Sequence, residues 1–196
     1  MTALILASAS RVRAGLLEQA GVPFRARPAD VDEAATKSAM AGSDPMTIAA
    51  ALAELKARTV AHAHPDALVL GADQVLVCEG VAFDKPRDMD EARSHLRRLR
   101  GRTHHLCTAA AAVGEGTVLW RHQEQPALAM RSFDDRFIDA YLAGVGEDAL
   151  LSVGAYQLEG RGAQLFERVD GDFFSILGLP LLPLLAFLRR RNVIEA

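Results

Sequence analysis

The sequence predicts an α/β fold, with a mixed twisted sheet and flanking helices. Two observations predict it. Apolar runs of strand length alternate with helix-periodic segments along the chain. In the second half several strands follow one another as a meander, which a purely parallel sheet does not contain. With 196 residues, half of them apolar, the chain can bury a sizeable core, and a single domain over 1–196 is expected.

The elements follow in order. LILAS (4–8) reads as a short buried strand. The helix after it spans roughly 11–20, with Ser8 or Ser10 as N-cap and Gly21 as C-cap. PFRARPADVDE is extended, and its acidic end reads as a loop. Asp44-Pro45 opens a second helix, with cap and N1 proline in the right order. It runs to about Ala63, with Ile48, Leu52, Leu55 and Thr59 on one face. DALVLGADQVLVCEG is a pair of strands or one bent strand, and GADQVLVCEGVAFDKP forms a hairpin around a Glu-Gly turn. Asp88 caps a third helix that ends at Gly101. HHLCTAAAAVGEGTVLW is a hairpin turning at Gly114-Glu115-Gly116, and ALAMRSF continues the sheet. Asp134 begins a short helix through about Leu142. GAYQLEGRGAQLFERVDGD is loop, strand and turn, and a last helix spans about Leu179 to Arg191.

Composition excludes some functions. The net charge is −3 and aromatics are 6%, without basic-aromatic interleaving, which argues against a nucleic-acid binder. Cys78 and Cys107 sit singly in apolar runs and read as buried thiols in a reducing compartment. MTALILASASR lacks the basic start and long apolar core of a signal peptide. LGLPLLPLLAFLRR is short and broken by Pro180 and Pro183, so it reads as a packing helix. A cytoplasmic protein that leaves membranes alone is expected.

Four polar clusters carry chemistry. Ser8-Ala9-Ser10-Arg11-Val12-Arg13 places hydroxyls and arginines at a helix start, which suits an anion such as phosphate, or is a plain serine cap. Asp30-Val31-Asp32-Glu33 could hold a hard divalent cation, or is a solvated acidic loop. Lys56 lies at the rim of an apolar helix face and reads as a snorkelling stem or a functional cation. It is one of three lysines, with Lys37 and Lys85, against 19 arginines. Asp73 follows the run ALVLGA, where a buried strand reaches its C-terminal end and ligands of α/β sheets gather. A carboxylate there can bind metal or take a proton from water, or satisfy loop amides. The hairpin would return Lys85 to the same end as Asp73. Together these groups form a kit for phosphoanhydride chemistry, which needs both signs of charge at close quarters.

Order and spacing resemble the Maf family of nucleoside triphosphate pyrophosphatases, linked to septum formation. LILASASRVRAGLLEQAGVPF, DVDE, Lys56, GADQV, DKPRD, RGRTH, GAYQLEGRG and GLPL follow in family order over essentially the whole chain. The resemblance implies a fold similar to inosine triphosphate pyrophosphatases, with two lobes around a cleft. It implies hydrolysis between the α and β phosphates to a nucleoside monophosphate and pyrophosphate, with Mg²⁺, Mn²⁺ or Co²⁺, in a homodimer. Carried over residue by residue, Asp73 is the general base or metal-binding carboxylate. Ser8, Arg13, Lys56 and Lys85 grip phosphates, Glu33 assists metal or water, and Thr103 is a further substrate contact. Val12 and Asp84 depart from the family pattern. Gln74 and Glu159 look more like the branch acting on 7-methyl-GTP than the branch acting on dTTP and UTP, because a carboxylate accepts from a guanine edge. A nucleotide-sensing regulator of cell division, binding a triphosphate without turnover, is the rival reading.

Overall fold

The structure is a computed structural model that describes residues 3–195. Its elements run β1 (Leu4–Leu6), α1 (Arg11–Gln19), β2 (Arg25–Ala26), α2 (Glu33–Ala39), α3 (Pro45–Ala63), β3 (Leu68–Cys78), β4 (Val81–Phe83), α4 (Met89–Leu99) and β5 (Thr103–Gly114). They continue with β6 (Thr117–Glu124), β7 (Ala127–Met130), α5 (Asp135–Val145), three short 3₁₀ segments, β8 (Phe166–Asp170), α6 (Phe173–Ile176) and α7 (Leu181–Arg190). The class is mixed α/β, as the alternation predicts. Among the described residues no helix is long and apolar enough to cross a membrane.

The chain divides into two compact units, and β3 and β5 each run through both. The first holds the chain up to Gln74, then Thr108–Glu124, and resumes at Asp172. Its strands lie in the order β2-β1-β3-β5, with β6 on β5. β1 pairs parallel with β2 and β3, and β6 pairs antiparallel with β5.

Side chains along β3 alternate between two cores, as strand geometry requires. Leu68, Leu70 and Ala72 pack with Leu16, Leu17, Leu184, Phe187 and Leu188 of α1 and α7. Ala67 and Val69 face the other way, onto Ala57 and Val60 of α3. Gly71 shares that second face. A Cβ there would run into the carbonyl of Ala53 and stand 2.8 Å from the amide of Ala57, so the strand touches the helix backbone at this point.

The second unit holds Val75–Cys107 and Gln125–Gly171. The end of β3 pairs with β4 over Leu76↔Phe83 to Cys78↔Val81. The turn residues Glu79 and Gly80 both have positive φ, 50° and 77°, the conformation a tight two-residue hairpin needs. The start of β5 pairs with β7, and β7 with β8, all antiparallel. His104 lies fully buried among Tyr156 and Phe166, with Nε2 2.7 Å from the Tyr156 hydroxyl.

Several boundaries differ from expectation. The acidic loop is partly helix: Asp32 caps α2 by accepting from the amide of Ala35, and Glu33 is the first helical residue. No residue of α2 is buried, so the sequence carries no apolar stripe to announce it. The last helix starts at Leu181, because the one-turn α6 and a turn through Gly178 and Leu179 come first. β3 is a single strand of 11 residues, so Asp73 sits mid-strand rather than at a strand end.

Candidate active site

The site is assembled by β1, α1, α2, α3 and β3 of the first unit. Asp73 lies on the face of β3 that meets α3, two residues beyond Gly71. Lys56 lies three residues beyond Ala53 on α3. Close backbone approach at Gly71 therefore brings the two side chains together. Lys56 Nζ donates to Asp73 Oδ1 at 2.6 Å and stands 2.9 Å from Glu33 Oε1. Both Lys56 and Asp73 are buried, with side chains 10% and 9% exposed, whereas Glu33 is 46% exposed. The snorkelling reading of Lys56 is thus overturned: its ammonium is buried between two carboxylates. An unpaired charge at that depth would be costly, and the contact gives each group an opposite partner.

Arg13 supplies the second cation. Ser10 caps α1 by accepting from the Arg13 amide at 3.3 Å, which settles the choice between the two candidate caps. The Arg13 guanidinium donates from Nε to the Gly178 carbonyl at 2.8 Å. Its Nη1 donates to the Ala72 carbonyl at 2.9 Å and to Ser8 Oγ at 3.3 Å. Burial holds its pKa below the usual arginine value, and the carboxylates of Asp73 and Glu33 pull it back up. An arginine stays protonated regardless. Ser8 is itself buried, and its Oγ also accepts from the Ser10 amide at 3.2 Å. The cluster thus holds two cations and two carboxylates, which is electrically balanced before any ligand arrives.

Glu33 and Asp73 both touch one ammonium and so converge on one positive charge. Among the described residues no three His, Cys, Asp or Glu side chains form a metal cage. The pair nevertheless suits a magnesium-like ion, which is held by one or two carboxylates and completes its shell with water and phosphate oxygens. Asp32 is occupied as a helix cap.

Gln74 points away from Asp73, as strand alternation demands. Its amide Nε2 faces three acceptors with two protons, so one proton is shared: Thr108 Oγ1 lies at 2.8 Å and the carbonyls of Ser175 and Ile176 at 3.0 and 3.1 Å. Carbonyls only accept, so this orientation of the amide is fixed, and only its oxygen is left to meet a ligand. The sequence does not mark Thr108 or Gly71 as site residues. Thr108 hides in the apolar run CTAAAAV, and its partners on α6 are backbone atoms that no residue name reveals.

Lys85, Thr103 and Glu159 belong to the second unit. Lys85 is exposed beyond β4, whose pairing ends at Leu76↔Phe83. The paired hairpin therefore reaches neither Asp73 nor Lys85. Thr103 is exposed at the start of β5, opposite Ala129. Glu159 is exposed in the turn after Tyr156. Its charge helps burial raise the Tyr141 hydroxyl to about 12.

A family model described as Maf-like protein matches residues 3–191. This chain belongs to the Maf-like family. It is 51% identical over 193 residues to the nucleoside triphosphate pyrophosphatase of Granulibacter bethesdensis, covering 97% of this chain and 98% of that protein. It is 52% identical over 195 residues to the 7-methyl-GTP pyrophosphatase of Rhizobium meliloti, covering 98% of each. It is 54% identical over 190 residues to the nucleoside triphosphate pyrophosphatase of Paramagnetospirillum magneticum, covering 96% of this chain and 98% of that protein. The resemblance read from the motifs is borne out.

Proposed function

We propose that this Maf-like chain hydrolyses a nucleoside triphosphate between its α and β phosphates, releasing a nucleoside monophosphate and pyrophosphate. The observation that carries the reading is the buried Lys56 ammonium between Asp73 and Glu33, with Arg13 beside it. The names of its relatives support the same reaction. A sensor that only binds has no need of a carboxylate held by a buried cation.

Asp73 takes the proton of the attacking water, and the bond from Lys56 holds its carboxylate in place. Arg13 and Ser8 grip phosphate oxygens, with Lys85 and Thr103 as further substrate contacts. Asp73 and Glu33 would hold the divalent cation, Mg²⁺, Mn²⁺ or Co²⁺. When bound there, it would supply charge neutralisation on the phosphates.

The preferred base is a methylated purine such as 7-methylguanine. The name of the Rhizobium meliloti relative supports this. So does the chemistry: N7-methylation makes the ring cationic, which suits the Glu159 carboxylate. Gln74 contributes its carboxamide oxygen, an acceptor for the N1–H and amino group of guanine. The reading includes a homodimer working in the cytoplasm, apart from nucleic acid and membranes.

The test is pyrophosphate release from a panel holding 7-methyl-GTP, GTP, dTTP and UTP with each of the three metals. Fastest turnover on 7-methyl-GTP is expected. Calorimetry showing tight triphosphate binding without product would favour the nucleotide-sensing regulator instead.

A further inference from the structure

The last carbonyls of a helix have no partner within it. At the end of α6 and in the turn after it, through Gly178, three side chains from elsewhere in the first unit donate to backbone carbonyls. Thr108 Oγ1 donates to the Ser175 carbonyl at 2.9 Å. Gln74 Nε2 donates to the carbonyls of Ser175 and Ile176. Arg13 Nε donates to the carbonyl of Gly178. The Gly178 amide closes the turn by donating back to the Ser175 carbonyl at 3.0 Å. Gly178 has φ +94°, and a Cβ there would stand 3.1 Å from Arg13 Nε, so guanidinium and turn are packed against each other.

These bonds form one chain of contacts. Thr108 is fully buried and has a single hydroxyl proton, which it gives to Ser175, while its oxygen accepts from Gln74. Gln74 is thereby fixed in one orientation. Both side chains pin the Ser175 carbonyl, the Ser175–Gly178 bond sets the turn, and the Gly178 carbonyl aims Arg13. Arg13 in turn feels the charges of Asp73 and Glu33.

We infer that Thr108 is a positioning residue for this site: through Gln74 and the Ser175 carbonyl it holds the turn whose Gly178 carbonyl orients the Arg13 guanidinium. Thr108 touches no reacting atom; it acts through Arg13. The inference rests on the reading of Arg13 as a phosphate ligand only for its kinetic consequence. The positioning itself stands on geometry.

Two readouts test it. The first is hydrogen exchange at the Arg13 Nε–H, followed by NMR of the arginine side chains and assigned by its loss in Arg13→Lys. Thr108→Val should speed that exchange about tenfold or more, the scale of one lost buried hydrogen bond. Thr108→Ser, which keeps the hydroxyl, should leave it near the parent rate. The second is a KM-against-kcat split, in which Thr108→Val raises KM about tenfold with a smaller change in kcat, as lost uniform binding does.

Gln74→Met removes the same link and serves if Thr108→Val fails to fold. Unchanged Arg13 Nε–H exchange in whichever variant folds overturns the positioning role. Faster exchange with an unchanged KM supports the positioning role and instead removes Arg13 from the phosphate grip. If no triphosphate is turned over, the exchange measurement still decides.

Discussion

The Lys56 ammonium sits 2.6 Å from Asp73 Oδ1, and the same nitrogen lies 2.9 Å from Glu33 Oε1. The three residues come from α3, β3 and the first turn of α2. This contact converts a set of separated motifs into one charge cluster.

Lys56→Ala leaves the Asp73 carboxylate buried without its cation. Removing one partner of a buried pair costs about 3–5 kcal/mol. Glu33 is half exposed and softens the loss little, because it too is an anion. Urea unfolding should show a fall of that size. The double variant Lys56→Met/Asp73→Leu should recover much of it, since an apolar replacement removes both charges together.

Gly71→Ala tests how the pair is assembled. Its Cβ would meet the Ala53 carbonyl and the Ala57 amide of α3. Overpacking of this kind costs about 1–3 kcal/mol. The strain should push α3 off β3 and separate Lys56 from Asp73. Activity should therefore fall further than stability alone explains, measured as kcat at a temperature where the variant remains folded.

His104 makes stability depend on pH. Burial, with a smaller contribution from neighbouring His105, lowers its pKa to about 4, against 6.5 for an ordinary histidine. Below pH 6.5 the unfolded chain takes up a proton that the folded chain refuses. The stabilisation is complete above about pH 6.5 and is lost as pH falls toward 4, by about 3 kcal/mol in total. His104→Gln keeps a partner for the Tyr156 hydroxyl but does not titrate. Its thermal midpoint should be less sensitive to pH between 7 and 4 than that of the parent.

Arg13→Lys keeps the charge and loses the fork that serves Gly178, Ala72 and Ser8 together. A compact ammonium cannot replace three directed bonds. A rise in KM for triphosphate of about 10–100-fold is expected, the scale of one charged hydrogen bond.

Much of the scaffold was legible because its helix starts are chemically marked. Ser10, Asp44, Asp88 and Asp134 each cap a helix by accepting from an amide three residues on. α2 and α6 escaped notice for a physical reason: one buries no residue, and the other is a single turn. The motifs pointed to Asp73, Lys56 and Glu33, but not to their contact. Lys56 read as a surface cation because helical periodicity shows a face and not what covers it. The partner lies 17 residues away on a strand, brought near by a glycine whose value is its missing side chain. Thr108 was illegible because its role runs through backbone carbonyls.

The most direct measurement is pyrophosphate release by Asp73→Asn on the best triphosphate of the panel, at saturating divalent metal. The substitution keeps shape and removes the charge that faces Lys56. Turnover should drop by about 10²–10⁴-fold, as for loss of a general base, with the fold retained. Turnover equal to that of the parent would contradict the assignment of Asp73 and, with it, the account of the cluster as a catalytic one.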